Sequence, residues 1–394
     1  MAEPPTPVYV DTVPLLAALL AHLRSQPSVA VDTEFISEGV YEPALCLLQL
    51  ATPEGIWLVD PLALPDLGEL WQLLTDPERE LVATAAREEI RFCLRFAGRP
   101  PARLFDPQVA AGLVGFGYPL SHTNLVRRVL DAAVDGSEGF TDWKRRPLAP
   151  RQLAYAADDV RHQLSLRARL RQEAEARGRT AWIEDECREL VARVSAGEDE
   201  ERWRRVSGAS GLSRRELAVL RELWRWRDGL ARRRNLPHRR VMRDELLVEI
   251  ARRRPATPED LLALRSLDRG SLRDEIRAIV DAVRAGVSIR EADLPRGRRR
   301  ADPPQVATLA QLLAVVTGDL AAGCDVEASL LATAADLQEV VRWRLGLTPE
   351  ESVPAALQGW RGQLLRQPLL GILDGREAVR VVDLNSRNPL RVEP

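Results

Sequence analysis

Three short apolar segments follow one another in quick succession near the start of the chain. Ser28-Val29-Ala30-Val31-Asp32-Thr33-Glu34-Phe35 is rich in β-branched residues, and Leu45-Cys46-Leu47-Leu48-Gln49-Leu50 and Ile56-Trp57-Leu58-Val59 come next, the last two parted by the turn signal Thr52-Pro53-Glu54-Gly55. Loops this short join neighbouring strands directly, which predicts an antiparallel meander. Helical spacing then takes over. Leu67, Leu70, Leu73 and Leu74 share one face, and Ile90, Cys93, Leu94 and Ala97 recur at i, i+3, i+4, i+7 before Gly98-Arg99-Pro100-Pro101 ends the run. A short strand is predicted at Leu104-Phe105-Asp106, and helices at 110–113, 125–130 and 152–170. Residues 1–175 therefore read as an α/β domain with a mixed sheet rather than an all-parallel one.

Beyond residue 176 strand signals nearly vanish. A connecting helix (182–194) and the flexible joint Ser207-Gly208-Ala209-Ser210-Gly211 fill 176–210. Two all-helical sets follow, at 211–292 and 305–394, separated by the basic, proline-terminated linker 293–304. Expected helices lie at 214–234, 242–253, 258–264 and 271–285 in the first set. In the second they lie at 306–320, 327–333, 335–344 and 354–370.

Composition narrows the function classes. The 394 residues are 45% apolar and 29% charged, too apolar for a disordered chain. No apolar run in the bare sequence reaches the ~18–20 residues of a membrane span. Met1-Ala2-Glu3-Pro4-Pro5 lacks the pattern of a secretory signal, and Cys46, Cys93, Cys187 and Cys324 form no Cys-x-x-Cys pair. A reducing cytoplasm is expected. The net charge of −2 conceals an asymmetry: residues 202–300 hold 27 arginines, no lysine and 14 acids, an excess of +13. Such a segment suits a polyanion, and in cytoplasm that means nucleic acid. Arg232, Arg233, Arg234, Arg239 and Arg240 flank a proline-containing loop and are the candidate phosphate contacts. Trp224, spaced with Leu220, reads as core, and Trp226 as the more exposed of the pair.

Three groups of acids are candidates for chemistry. Asp32 and Glu34 alternate around Thr33 at a strand end and so project from one side, about two strand rises of ~3.3 Å apart. Two carboxylates so placed call for a divalent cation between them. Tyr155 and Asp159 are one helical turn apart and share a face, which allows a metal ligand beside a hydroxyl that orients water. Glu89, next to the buried stripe that begins at Ile90, can face a cleft.

In this order and at these distances, Asp32-Thr33-Glu34-Phe35, an acid on a middle helix, and Tyr155-x-x-x-Asp159 resemble the DEDD exonucleases of the tyrosine branch. Thr141-Asp142-Trp143-Lys144-Arg145-Arg146-Pro147-Leu148 and Gln152-Leu153-Ala154-Tyr155-Ala156-Ala157-Asp158-Asp159-Val160 are similar to the ribonuclease D family. The stretch 217–227, with Pro237 and Arg243-Asp244-Glu245, resembles the helicase-and-ribonuclease-D C-terminal (HRDC) domain. A degenerate second copy is expected to end near Gly359-Trp360-Arg361 and Pro368-Leu369-Leu370.

The resemblance implies a ribonuclease H-like α/β exonuclease domain followed by two HRDC-like domains. It implies a 3′→5′ exoribonuclease that trims RNA 3′ ends, including those of tRNA precursors, and releases 5′-mononucleotides. Asp32, Glu34, Glu89 and Asp159 fall on metal-ligand positions for two divalent cations, Mg²⁺ or Mn²⁺. Tyr155 falls on the water-orienting position, and Phe35 where a side chain packs on the terminal nucleotide. Two departures stand out: Glu89 replaces the more usual Asp, and Thr84 stands where a His is frequent. They leave room for a catalytically weak RNA-binding factor, and the fold also serves exonucleases of single-stranded DNA.

Overall fold

The computed structural model describes residues 6–132, 141–196, 202–264, 272–295 and 302–394. The first part of the chain alternates strands and helices: β1 (Val8–Val10), α1 (Val13–Leu23), β2 (Ser28–Ile36), β3 (Ala44–Thr52), β4 (Gly55–Val59), α2 (Gly68–Leu74), β5 (Glu80–Val82), α3 (Arg87–Ala97), β6 (Arg103–Phe105), α4 (Pro107–Leu113), α5 (His122–Leu130), α6 (Pro150–Arg161), α7 (Gln163–Ala176) and α8 (Thr180–Ser195). The first helical set contains α9 (Arg214–Arg234), α10 (His238–Val241), α11 (Asp244–Arg253), α12 (Pro258–Leu262) and α13 (Ile276–Val287). The second contains α14 (Pro304–Gly323), α15 (Ala328–Leu331), α16 (Ala334–Arg344) and α17 (Gly359–Leu373), then a hairpin of β7 (Ala378–Val381) and β8 (Leu390–Glu393).

The main sheet runs β1-β4-β3-β2-β5-β6. Its β3–β4 pair is antiparallel, whereas β1–β4, β2–β5 and β5–β6 are parallel, so the sheet is mixed as expected. Two of its strands left no periodic signal. β1 and β5 are three residues long, and β5 opens with Glu80, which is buried because Arg167 and Arg171 both close on its carboxylate. A charged residue neutralised from another helix cannot be read as core from its own neighbourhood. The hairpin β7–β8 was also not anticipated.

The helix expected over 152–170 is two helices broken at His162. At this break Gln163 Nε2 donates to the Asp159 carbonyl (3.0 Å) and weakly to that of Val31 on β2 (3.4 Å). Helix starts carry side-chain caps: Asp106 accepts from Gln108 N, Ser121 from Asn124 N, and Ser213 and Glu216 form a reciprocal box at α9. The four cysteines are free.

The chain divides into two compact units. Met1–Glu34, Cys46–Ser195 and Asp302–Pro394 form one, and Phe35–Leu45 with Ala196–Ala301 the other. The second helical set thus belongs to the unit that holds the sheet and packs on its helices α4 and α8. Glu327 N donates to the Gly112 carbonyl (2.9 Å), and Arg179 Nη1 to that of Leu113 (2.7 Å), while Arg179 also closes on the carbonyl of Cys324. Buried Glu186 on α8 accepts from Trp360 Nε1 (2.8 Å) and Arg361 Nη2 (2.7 Å), and Trp182 stacks on Trp360 at 4.8 Å. Only a residue without Cβ fits at 112, where a Cβ would meet Leu330 Cδ1 at 2.5 Å and Tyr118 Cβ at 2.7 Å.

α14, 20 residues with a mean hydropathy of 1.5, is long and apolar enough by composition to cross a membrane, contrary to the reading of the bare sequence. Its stripe of Val306, Ala310, Leu313, Val316 and Ala321 is buried, as in an amphipathic helix of a helical bundle. The second set repeats the order of the first: a long helix, a left-handed residue (Asn235 φ 48°, Asp325 φ 50°), a four-residue helix and a medium helix.

In the other unit Ala209 anchors the expected joint in a core, while its serines and glycines stay exposed. Trp203, Val206, Ala209 and Leu212 are buried with Leu220, Leu223 and Leu247. Trp224 is buried and Trp226 half-buried, the more exposed of the pair as expected, and the Trp226 Nε1 donates to Glu275 (3.3 Å). The segment 35–45, which leaves the end of β2, is held by α9 and its C-terminal corner. Tyr41 donates to Asp228 Oδ1 (2.8 Å), His238 Nε2 bonds the same oxygen (2.7 Å), and the backbone N–H groups of Tyr41 and Glu42 donate to Asn235 Oδ1 (3.0 and 3.2 Å). The linker arginines at 296 and 298–300 lie outside the described residues.

Candidate active site

β2 and two helices supply the predicted acids. Asp32 and Glu34 stand on β2, Glu89 in the first turn of α3, and Tyr155 and Asp159 on α6. The sheet core anchors β2 through buried Val29, Ala30 and Val31, and α3 is held by Ile90, Phe92 and Cys93. The Gln163 amide fastens the end of α6 beside Val31, the residue before Asp32. Nothing in the sequence marked Gln163 for this work except its place four residues after Asp159.

Thr33, between the two β2 acids, is the second residue the sequence reading did not single out. Its hydroxyl donates to Glu89 Oε1 at 2.7 Å, and the pair is buried. Glu89 is therefore 5% exposed and tied to the strand, not turned toward open solvent. The Thr33 N–H donates to Asp32 Oδ1 (2.8 Å). The Tyr155 hydroxyl, one turn before Asp159, lies against the Asp159 carboxyl and lowers its pKa.

Electrostatics brings the four acids together. Burial, then the Asp159 charge, lifts Asp32 to about 8. Burial lifts Glu34 to about 9, with Asp32, Asp159 and Glu89 each adding to the rise. Burial and Asp32 lift Glu89 to about 8, against the lowering effect of the Thr33 bond. Asp159 rises to about 7, mainly by burial, with the Tyr155 bond opposing. Among the described residues, no basic side chain acts on these four carboxyls. Tyr155 is held far above the ordinary phenol range by burial and by Asp159, Glu34 and Asp32. Among the described residues, no three His, Cys, Asp or Glu side chains stand close enough to converge on one ion as they are.

The remaining candidates sit elsewhere. Phe35 follows Glu34 directly but belongs to the segment that packs with the helical unit. Arg232, Arg233, Arg234, Arg239 and Arg240 are all exposed at the corner between α9 and α10. Arg232 donates to the Tyr41 hydroxyl (3.2 Å) and Arg234 pairs with Glu275 (3.0 Å). Arg233, Arg239 and Arg240 make no ion pair among the described residues. Thr84, at the position where a His is frequent, buries its hydroxyl without a hydrogen-bond partner.

Residues 7–175 match a 3′-5′ exonuclease family model, and 216–283 match that of the HRDC domain. Ribonuclease D of Gluconacetobacter diazotrophicus is 38% identical over 379 residues, which cover 94% of each chain. Ribonuclease D of Escherichia coli K12 is 31% identical across 92% of this chain and 97% of its own length. The crystal structure of the E. coli enzyme, an exoribonuclease involved in structured RNA processing, superposes with a TM-score of 0.82 over 94% of this chain and 99% of that one. Identity at this level along nearly the whole length, on the same arrangement of exonuclease and HRDC domains, places the chain in the ribonuclease D family of metal-dependent 3′→5′ exoribonucleases.

Proposed function

We propose that this protein removes nucleotides singly from RNA 3′ ends, those of tRNA precursors included, in the cytoplasm. In this reading Asp32, Glu34, Glu89 and Asp159 hold two divalent cations, Mg²⁺ or Mn²⁺, and Tyr155 orients the attacking water. One observation carries it: four carboxyls from one strand and two helices are all raised by burial and by neighbouring acids, with no basic side chain among the described groups acting on them. A donor set made only of oxygen suits hard divalent ions and disfavours zinc. Such ions, when bound, supply the Lewis acidity that activates water and offsets charge on the departing 3′ oxygen.

The chain's own groups do the rest. The Tyr155 phenol, raised above its usual range, stays protonated at neutral pH beside the Asp159 carboxyl. Its remaining lone pairs can orient a water, and it does not act as the base. Thr33 fixes the oxygen of Glu89, which is how the longer Glu side chain is accommodated at this position. Phe35 packs on the terminal nucleotide, and the exposed arginines around α10 contribute sequence-independent phosphate contacts.

The test is the Asp32→Asn and Asp159→Asn pair on 5′-labelled RNA carrying a 3′-hydroxyl or a 3′-phosphate, with Mg²⁺, Mn²⁺ or chelator. Both variants should lose metal-dependent mononucleotide release, and the 3′-phosphate should block the wild type. Full activity in either variant would remove that residue from the site.

A further inference from the structure

The loop before α6, Thr141 to Pro147, carries a sequence pattern to which the chemistry above gives no role. Arg146 is its anchor. The guanidinium forks onto buried Asp60 at the end of β4, Nε to Oδ2 at 2.6 Å and Nη2 to Oδ1 at 2.8 Å. Nη2 also donates to the Cys46 carbonyl on β3 (2.7 Å), and Nη1 to the carbonyls of Trp143 (2.7 Å) and Arg145 (3.1 Å). Asp60 is held in turn by the Tyr9 hydroxyl from β1 (2.6 Å) and the Leu62 N–H (2.9 Å). One side chain thus bolts the backbone of Trp143 to three strands of the sheet. The loop's other end is closed by Gln152 in the first turn of α6, which donates to Thr141 Oγ1 (3.2 Å).

Trp143 is 2% exposed, and its ring lies 6.2 Å from that of Tyr155, tilted by 38°. Its indole N–H is buried with no hydrogen-bond partner. The ring is therefore not aimed by a bond of its own; its place comes from the backbone that Arg146 grips and from packing. Tyr155 needs such a wall. Asp159 fixes only the hydroxyl, whereas the ring can still swing about two side-chain torsions.

We propose that Trp143, gripped through its carbonyl by the Arg146–Asp60 pair, is a positioning residue that holds the Tyr155 ring where its hydroxyl meets both Asp159 and the attacking water. The proposal rests on the role given above to Tyr155. It predicts a loss in the chemical step, not in RNA affinity. A misplacement of ~1 Å costs on the order of 10²-fold, so Trp143→Leu should lower kcat about 10–100-fold with KM within about twofold. Trp143→Phe keeps an aromatic wall, losing part of the ring's bulk and an N–H that bonds to nothing, so it should stay within about threefold of the wild type.

The experiment is a double-mutant cycle on a short single-stranded RNA in saturating Mg²⁺, with Trp143→Leu, Trp143→Phe, Tyr155→Phe and Trp143→Leu/Tyr155→Phe. Once the Tyr155 hydroxyl is gone, Trp143→Leu should cost less than about twofold more. Equal losses in both backgrounds, a change in KM alone, or no rescue by Phe would overturn the positioning role while leaving Tyr155 in place. Wild-type activity of Tyr155→Phe would sink the reading of Tyr155 itself, and this proposal with it. Should Trp143→Leu fail to fold, Arg146→Lys, which keeps the charge but loses the fork, enters the same cycle with the same expected outcome.

Discussion

Glu34→Gln should stabilise the metal-free protein, increasingly so as pH rises. Glu34 ionises in the folded chain only near pH 9, whereas an ordinary glutamate does so at 4.5. The folded state therefore holds a proton that the unfolded state releases. Because this pKa is raised, the stability it lends is complete below about pH 4.5 and is lost as pH climbs toward 9. Each pH unit in that window costs up to about 1.4 kcal/mol, so two units, from pH 6 to pH 8, cost at most about 3 kcal/mol. Four coupled acids share their protons, which brings the expected share of Glu34 down to about 1–2 kcal/mol. Gln carries no charge at any of these pH values and escapes the penalty. For a unit of this size that is a rise of roughly 2–8 °C in Tm relative to wild type between pH 6 and pH 8. Differential scanning calorimetry in chelator at half-unit pH steps reads it directly. With saturating Mg²⁺ the wild type should recover the difference, since its carboxylates are then paired, and the variant should not. A variant-minus-wild-type difference independent of pH, or one that falls as pH rises, would refute the account of the site as mutually repelling buried acids.

Other outcomes follow from the same geometry. Thr33→Val removes the hydrogen bond that lowers the Glu89 pKa, so the acid limb of the pH–rate profile should move to higher pH and activity at pH 7 should fall by about tenfold, the loss of a ~1–2 kcal/mol bond to a charged group. Glu89→Asp withdraws the oxygen that Thr33 holds and should lower activity; a large gain would mean the natural site is poorly tuned. Replacing Arg233, Arg239 and Arg240 together with Gln should make the plot of log Kd against log salt shallower by up to about 2, at ~0.7 per phosphate contact, and an unchanged slope would exclude that corner as a phosphate-binding surface. Gly112→Val drives a side chain into Leu330 and Tyr118 and should cost about 1–3 kcal/mol, seen as a lower Tm with kcat on a short RNA unchanged.

Much of the site was legible because its acids obey local geometry. Asp32 and Glu34 alternate on a strand, and Tyr155 and Asp159 sit one turn apart on a helix. The residues that hold them were not legible. Thr33 faces the core by strand alternation, yet its value lies in a bond to a side chain 56 positions away. Gln163 reads as one more polar residue in a continuous helix, whereas its amide donates to the Asp159 carbonyl at the break between α6 and α7. β5 escaped notice because Glu80 reads as surface until two arginines of α7 close on it.

Local pattern decided the kind of elements, their order, and which carboxyls could share a face, since alternation and helical spacing are properties of the backbone and need no partner. Only the tertiary structure decided the division into units: the last ninety residues join the sheet's unit through its helices, and a short segment after β2 packs with the basic helices. That choice depends on pairs such as Glu186 with Trp360 and Tyr41 with Asp228, whose members are separated by 174 and 187 residues. Attraction between groups so far apart along the chain leaves no period in it, because it exists only once folding has brought the two ends of each contact out of water and into reach.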